Sequence, residues 1–224
     1  MDVGMMLIFS SYGWEEGSDG QMWDEELRLG EVAADLGFDC LWSAEHHFND
    51  YSFVPDNIHV MTHLAAKHPD IDVGTAAVIL PWHDPVRVAE NAAVLDLLSG
   101  GRFRLGLGRG LARREFEAFR LSMDESRERF DEAAPMIVEA LKTGFIEGNG
   151  AITSSPESRS GPGRSTPSTG VYTPWPPAKN LSSQRPNWAP ISSCSQTVPG
   201  RCVCRLSSKD VPCTANFMAP SHQT

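Results

Sequence analysis

Three short segments hold residue types that do chemistry. Glu45-His46-His47 follows the apolar run of residues 40–44. A histidine titrates near neutral pH, so it can exchange protons as acid or base. The same pair also suits hydrogen-bonded structural histidines or metal ligands. Adjacent side chains on an extended chain point opposite ways, which disfavours both rings on one metal ion. The second segment, residues 101–110, reads as a strand ending in a Gly-rich turn with arginine, Gly106-Leu107-Gly108-Arg109-Gly110. Glycines let backbone N–H groups approach an anion, and arginine binds phosphate through paired donors. Such glycine spacing alone carries little weight. Ser126-Arg127 adds a second cation near a helix start. The third segment, residues 72–81, is apolar with Gly74, Ala76 and Ala77 at its centre. Small side chains there admit either a flat ring or a close-packed helix.

Alternating strands and helices must position these segments. Residues 3–9 form a continuous apolar run, as in a strand buried on both faces. Met22, Leu29, Val32, Ala33 and Leu36 make a helical stripe that Gly37 ends. A second strand over 40–44 and a helix through Val60, Leu64 and Ala65 follow. Residues 73–80 read as one strand stopped by Pro81. Asp84-Pro85 then starts a helix, with a capping carboxylate ahead of proline at the first helical position. A fourth strand over 103–107 precedes a last helix through Phe130, Ala133, Ile137 and Leu141, with Pro135 inside it. Helices between strands imply right-handed crossovers and a parallel sheet. Four such βα units are the N-terminal half of a TIM (β/α)8 barrel. A doubly wound sheet is the rival, but no G-x-G-x-x-G follows the first strand.

The net charge of −10 over 224 residues disfavours nucleic acid as a partner. No apolar run reaches a membrane span and no basic leader opens the chain, so a cytoplasmic protein is expected. The single cysteine before residue 150, Cys40, fits a reducing compartment. The pattern changes after Gly150. Residues 151–224 hold 14 Ser and 11 Pro, with 7 Lys/Arg against 2 Asp/Glu. Four cysteines lie there without the spacing of a zinc knuckle, and no metal site is expected. Ser, Cys, Trp and Tyr codons mostly begin with U, and U in second place encodes apolar residues. A shifted frame would therefore turn this tail apolar. The expectation is two parts: a barrel half over 1–150, and an irregular Ser/Pro-rich tail over 151–224 that reads as a frameshift product. Such a tail would leave the outer strands of the half barrel unpaired.

Taken together, Ala44-Glu45-His46-His47-Phe48, Gly74 to Pro81 with His83-Asp84-Pro85-Val86-Arg87, and Gly101-Arg102-Phe103-Arg104 through Arg109-Gly110 resemble the bacterial luciferase family of flavin monooxygenases. The resemblance covers residues 1–150. It implies a site at the carboxyl ends of barrel strands. His46 would be the active-site histidine that assists breakdown of the flavin–oxygen adduct. Ala76-Ala77 would form a non-prolyl cis peptide against the isoalloxazine ring. Arg109 and Arg127 would hold the flavin phosphate, and Glu45 and Leu107 complete the cofactor-binding set. A cysteine that some relatives carry is replaced by Gly108. The implied cofactor is reduced FMN, used with O₂ on a small organic substrate such as an aldehyde. A separate flavin reductase would supply the cofactor, and a dimer is expected of the intact family member. The alternatives are a non-catalytic half barrel that binds flavin poorly, and a deazaflavin-dependent oxidoreductase.

Overall fold

Apolar residues alternating with small or polar ones build a parallel sheet in chain order. In a computed structural model that describes residues 2–11 and 17–162, and the backbone of 171–172, 195–196, 201–206 and 214–216, four strands carry it. They are β1 (Asp2–Leu7), β2 (Cys40–Ser43), β3 (Asp72–Thr75) and, beyond the short β4 (Val78–Ile79), β5 (Phe103–Gly108). β1 pairs with β2, β2 with β3, and β3 with the start of β5, all parallel; β4 pairs with the end of β5. Neighbours in sequence are thus neighbours in space, as in an α/β barrel of the TIM type. The segment expected as one strand over 73–80 is two, because the chain breaks pairing at Ala76-Ala77, whose peptide bond is cis.

Five helices follow the strands: α1 (Asp19–Asp35), α2 (Asn57–Lys67), α3 (Pro85–Leu98), α4 (Arg113–Ala118) and α5 (Ser126–Thr143). Asp84 caps α3 as its sequence predicts, accepting from the N–H groups of Val86 and Arg87. Ser18 and Gln21 cap α1 reciprocally. The buried face of α1 is Met22, Gly30 and Ala33, whereas Val32 and Leu36 of the expected stripe are exposed. Leu7, Leu41, Val73, Phe103 and Leu105 join helix residues such as Leu64, Ala89 and Ile137 in one apolar core. α5 continues through Pro135, which cannot donate to the preceding turn. Burial raises the pKa of the Cys40 thiol, which disfavours the thiolate form.

A hairpin crosses the expected boundary at residue 150: β6 (Phe145–Asn149) lies before it, and β7 (Ser154–Arg159) puts an ordered strand in the segment expected to be irregular. Glu132 of α5 holds its turn: the carboxylate accepts from the N–H groups of Ala151, Ile152 and Thr153 at 2.8–3.0 Å and from the Thr153 hydroxyl at 2.8 Å. Further on, Val171–Tyr172 runs parallel to β5 and Arg201–Leu206 antiparallel to β1. Short tail strands therefore occupy the edges expected to be bare. The cysteines of the tail lie where no side chain is described. Among the described residues no helix is long and apolar enough to cross a membrane.

Trp42 fills the sheet face opposite the helices. Its buried ring lies across Gly4 and Gly74 on the flanking strands, where a Cβ at Gly74 would sit 2.5 Å from Trp42 Cε3. We expect Gly74→Ala to destabilise the protein by about 1–3 kcal/mol through overpacking. A urea midpoint equal to that of the wild type would contradict this packing.

Candidate active site

The chain leaves β2 in extended form, and side chains alternate between inside and outside. Ser43, Glu45 and His47 are buried; Ala44 and His46 are half-buried. Glu45, only 2% exposed, is the inward anchor. Its Oε1 accepts from Trp82 Nε1 at 2.6 Å and lies 2.7 Å from His83 Nε2 and 3.0 Å from His47 Nε2. Its Oε2 accepts from the Ile79 N–H at 2.9 Å. An indole N–H only donates, so Oε1 is an acceptor and both histidines present Nε2–H to it. Burial opposes ionisation of Glu45, but the hydrogen bonds from His47 and His83, the His83 charge and the Ile79 N–H outweigh it and hold its pKa below the ordinary range. Burial likewise opposes protonation of His83, yet the bond to Glu45, the Glu45 charge and Asp56 raise its pKa.

His46 points the other way, to a second buried carboxylate. Glu115 Oε1 lies 3.0 Å from His46 Nδ1 and accepts from the His47 backbone N–H at 2.8 Å. Glu115 stands on α4, which the chain reaches through a turn at Gly110, where φ is +74°. Aromatic rings pack around both carboxylates. Trp82 stacks on Phe119 at 5.1 Å and meets Phe116 edge-on at 5.2 Å, while His47 meets Phe119 edge-on at 4.8 Å. The His46 ring, 28% exposed, is the member of this array that a bound molecule can reach.

The Ala76–Ala77 peptide lies at the same strand ends. Asn57 Nδ2 donates to the Ser43 and Ala77 carbonyls at 3.2 and 3.0 Å, and the Ala76 N–H donates to Ser43 O at 2.8 Å. Leu107 is buried on β5, in register with Val78. Arg109, just past β5, is half-buried and has no hydrogen bond or ion pair among the described residues. The structure thus gathers Glu45, His46, Ala76, Ala77, Leu107 and Arg109 at or just beyond strand carboxyl ends. Arg127, near the start of α5, is exposed and its ion pair is with Asp131 at 3.9 Å. Both Glu45 oxygens are taken by protein donors. Sequence reading missed Glu115, Trp82 and Asn57. A signal for the first existed: Phe116 and Phe119 lie three apart, and Glu115 shares their helix face four residues before Phe119. Among the described residues no cluster of three His, Cys, Asp or Glu could hold a metal ion.

The model of the luciferase-like monooxygenase family matches residues 1–188. The chain is 32% identical over 140 residues to the alkanal monooxygenase alpha chain of Photobacterium leiognathi, covering 62% of this chain and 40% of that protein. It is 31% identical over 144 residues to the oxygenase component of the flavin-dependent trigonelline monooxygenase of Acinetobacter baylyi, covering 63% and 40%. Among solved structures, monooxygenase RslO1 from Streptomyces bottropensis matches with a TM-score of 0.71 at 31% identity, covering 77% of this chain and 53% of that one. The chain spans 40% of the length of these two curated relatives.

The Glu45–His83 pair has a pH signature. The pKa of Glu45 is depressed, so its contribution is complete above the unfolded value of about 4.3 and is lost as pH falls through the folded value. That of His83 is raised, so its contribution is complete below about 6.5 and is lost as pH rises through the folded value. Urea midpoints of wild type and Glu45→Gln should therefore differ most near about pH 5–6 and converge on either side. A gap independent of pH would contradict this ion pair.

Proposed function

We propose that this chain, which belongs to the luciferase-like monooxygenase family, carries the proton-handling side of an FMN-dependent monooxygenase site. Reduced FMN and O₂ meet a small organic substrate such as an aldehyde there, and His46 serves as the acid–base group. The observation that carries this reading is the His46 ring: part-exposed at the carboxyl end of a parallel strand and held from behind by the buried Glu115.

The residues present suit a flavin mononucleotide. Arg109 is a half-buried guanidinium without a protein partner among the described residues, as an anion's counter-charge would be. Arg127 supplies a second cation for the phosphate. Half-buried Ala76 offers small apolar surface for the ring, buried Ala77 and Leu107 lie at the same strand ends, and Glu45 fixes the wall behind them through Ile79 and Trp82. When bound, the flavin supplies two electrons; one oxygen atom enters the substrate and the other leaves as water. His46 moves the proton this requires, and the aromatic rings keep water from the carboxylates behind it. A relative named as a flavin-dependent oxygenase component supports both the flavin and a separate reductase as the source of reduced FMN. A dimer belongs to the same reading.

The test is turnover under ¹⁸O₂ with reduced FMN, a flavin reductase and a long-chain alkanal. One labelled oxygen should appear in the acid, and His46→Ala should slow its formation by roughly 10²–10⁴-fold while FMN binding persists. Acid bearing only solvent oxygen, or an unchanged rate in His46→Ala, would refute the reading.

A further inference from the structure

We propose that Glu115 is the positioning residue for His46: it fixes the ring as the Nδ1–H tautomer and leaves Nε2 as the proton-accepting atom on the reactive side. This rests on the reading of His46 as the acid–base group. One oxygen decides the matter. Glu115 Oε1 receives the His47 backbone N–H at 2.8 Å, and a backbone N–H only donates, so this oxygen is an acceptor. A carboxylate oxygen carries no proton to give, so His46 Nδ1, 3.0 Å from the same oxygen, donates to it. The neutral ring therefore carries its proton on Nδ1, and Nε2 keeps its lone pair. The neighbouring ring is set oppositely. His47 gives Nε2–H to Glu45, whose Oε1 is held as an acceptor by the Trp82 indole. Two buried carboxylates thus lock adjacent histidines into opposite tautomers, and the backbone alternation after β2 makes this possible.

Burial strengthens the arrangement. The Glu115 side chain is 4% exposed, so water does not compete for its oxygens. Phe116 beside it is fully buried and packs on Trp82, which places the carboxylate by packing as well as by bonding. Glu115 reaches His46 from 69 positions away in sequence, on an element separate from the histidine pair. When His46 takes up a proton at Nε2, Glu115 faces the resulting cation directly. The carboxylate needs no proton of its own in this role.

Long-range ¹H–¹⁵N correlation spectra of the full chain, labelled at histidine, read the tautomers directly. Above the pH at which the rings are neutral, the wild type should show Nδ1–H at His46 and Nε2–H at His47. Glu115→Gln keeps an acceptor oxygen, oriented by the His47 N–H, and should preserve the His46 tautomer. Glu115→Leu removes the acceptor and should move His46 to Nε2–H, while His47 stays as it was; the His47 signal thereby reports an intact fold. Nε2–H at His46 in the wild type overturns the proposal, whatever the variants do. An unchanged His46 tautomer in a folded Glu115→Leu protein overturns it too. Turnover separates the two readings. A tautomer shift with at least a tenfold fall in kcat upholds both. A tautomer shift with unchanged kcat upholds the role of Glu115 toward the ring and refutes His46 as the acid–base group.

Discussion

The Glu45 carboxylate gathers four donors from three places: the chain leaving β2, the end of β4 and the turn at Trp82-His83. A buried charge is costly unless its lone pairs are filled, and here both oxygens are occupied. Removing the acceptor would strand an indole, two imidazoles and a backbone N–H in an apolar setting. The strand ends are therefore held in one arrangement by a single side chain. The Ala76–Ala77 peptide, the His46 ring and the aromatic group around Trp82 all take their positions from elements that this carboxylate joins.

From that anchor, the chain's own geometry divides labour between two histidines. His47 turns inward and becomes structure, bonded to Glu45 and packed against Phe119. His46 turns outward and stays accessible, backed by Glu115. Neither residue type nor position alone separates these roles, because both are histidines at a strand end. The separation comes from the twofold alternation of an extended backbone and from which carboxylate each ring meets. The relatives with alkanal or trigonelline monooxygenase activity in their names fit a site of this chemistry.

Much of the fold is legible in the residues. Apolar runs and helical stripes give the order of strands and helices, and Asp84-Pro85 marks the start of α3. Glu45, His46 and Arg109 stand out by their place at strand ends. What escapes is long-range. Glu115 meets His46 across 69 positions, and the Phe116–Phe119 spacing that marks its helix face does not say what that face meets. The β6–β7 hairpin depends on Glu132 reaching its turn from another element, so Ser-rich composition hides it. The break between β3 and β4 lies inside an apolar run whose periodicity continues across it. Val32 and Leu36 of α1 show the opposite failure: they extend an apolar stripe on paper but face solvent.

The central claim is that this half of the sheet carries a site for a flavin phosphate beside an acid–base histidine. Parallel titrations of the chain and of its Arg109→Ala variant with FMN and with riboflavin test it most directly, because only FMN carries the phosphate. The account predicts that the substitution weakens FMN binding by roughly 1.5–3 kcal/mol more than riboflavin binding, the range of a charge-assisted hydrogen bond. An equal loss for both ligands would contradict it.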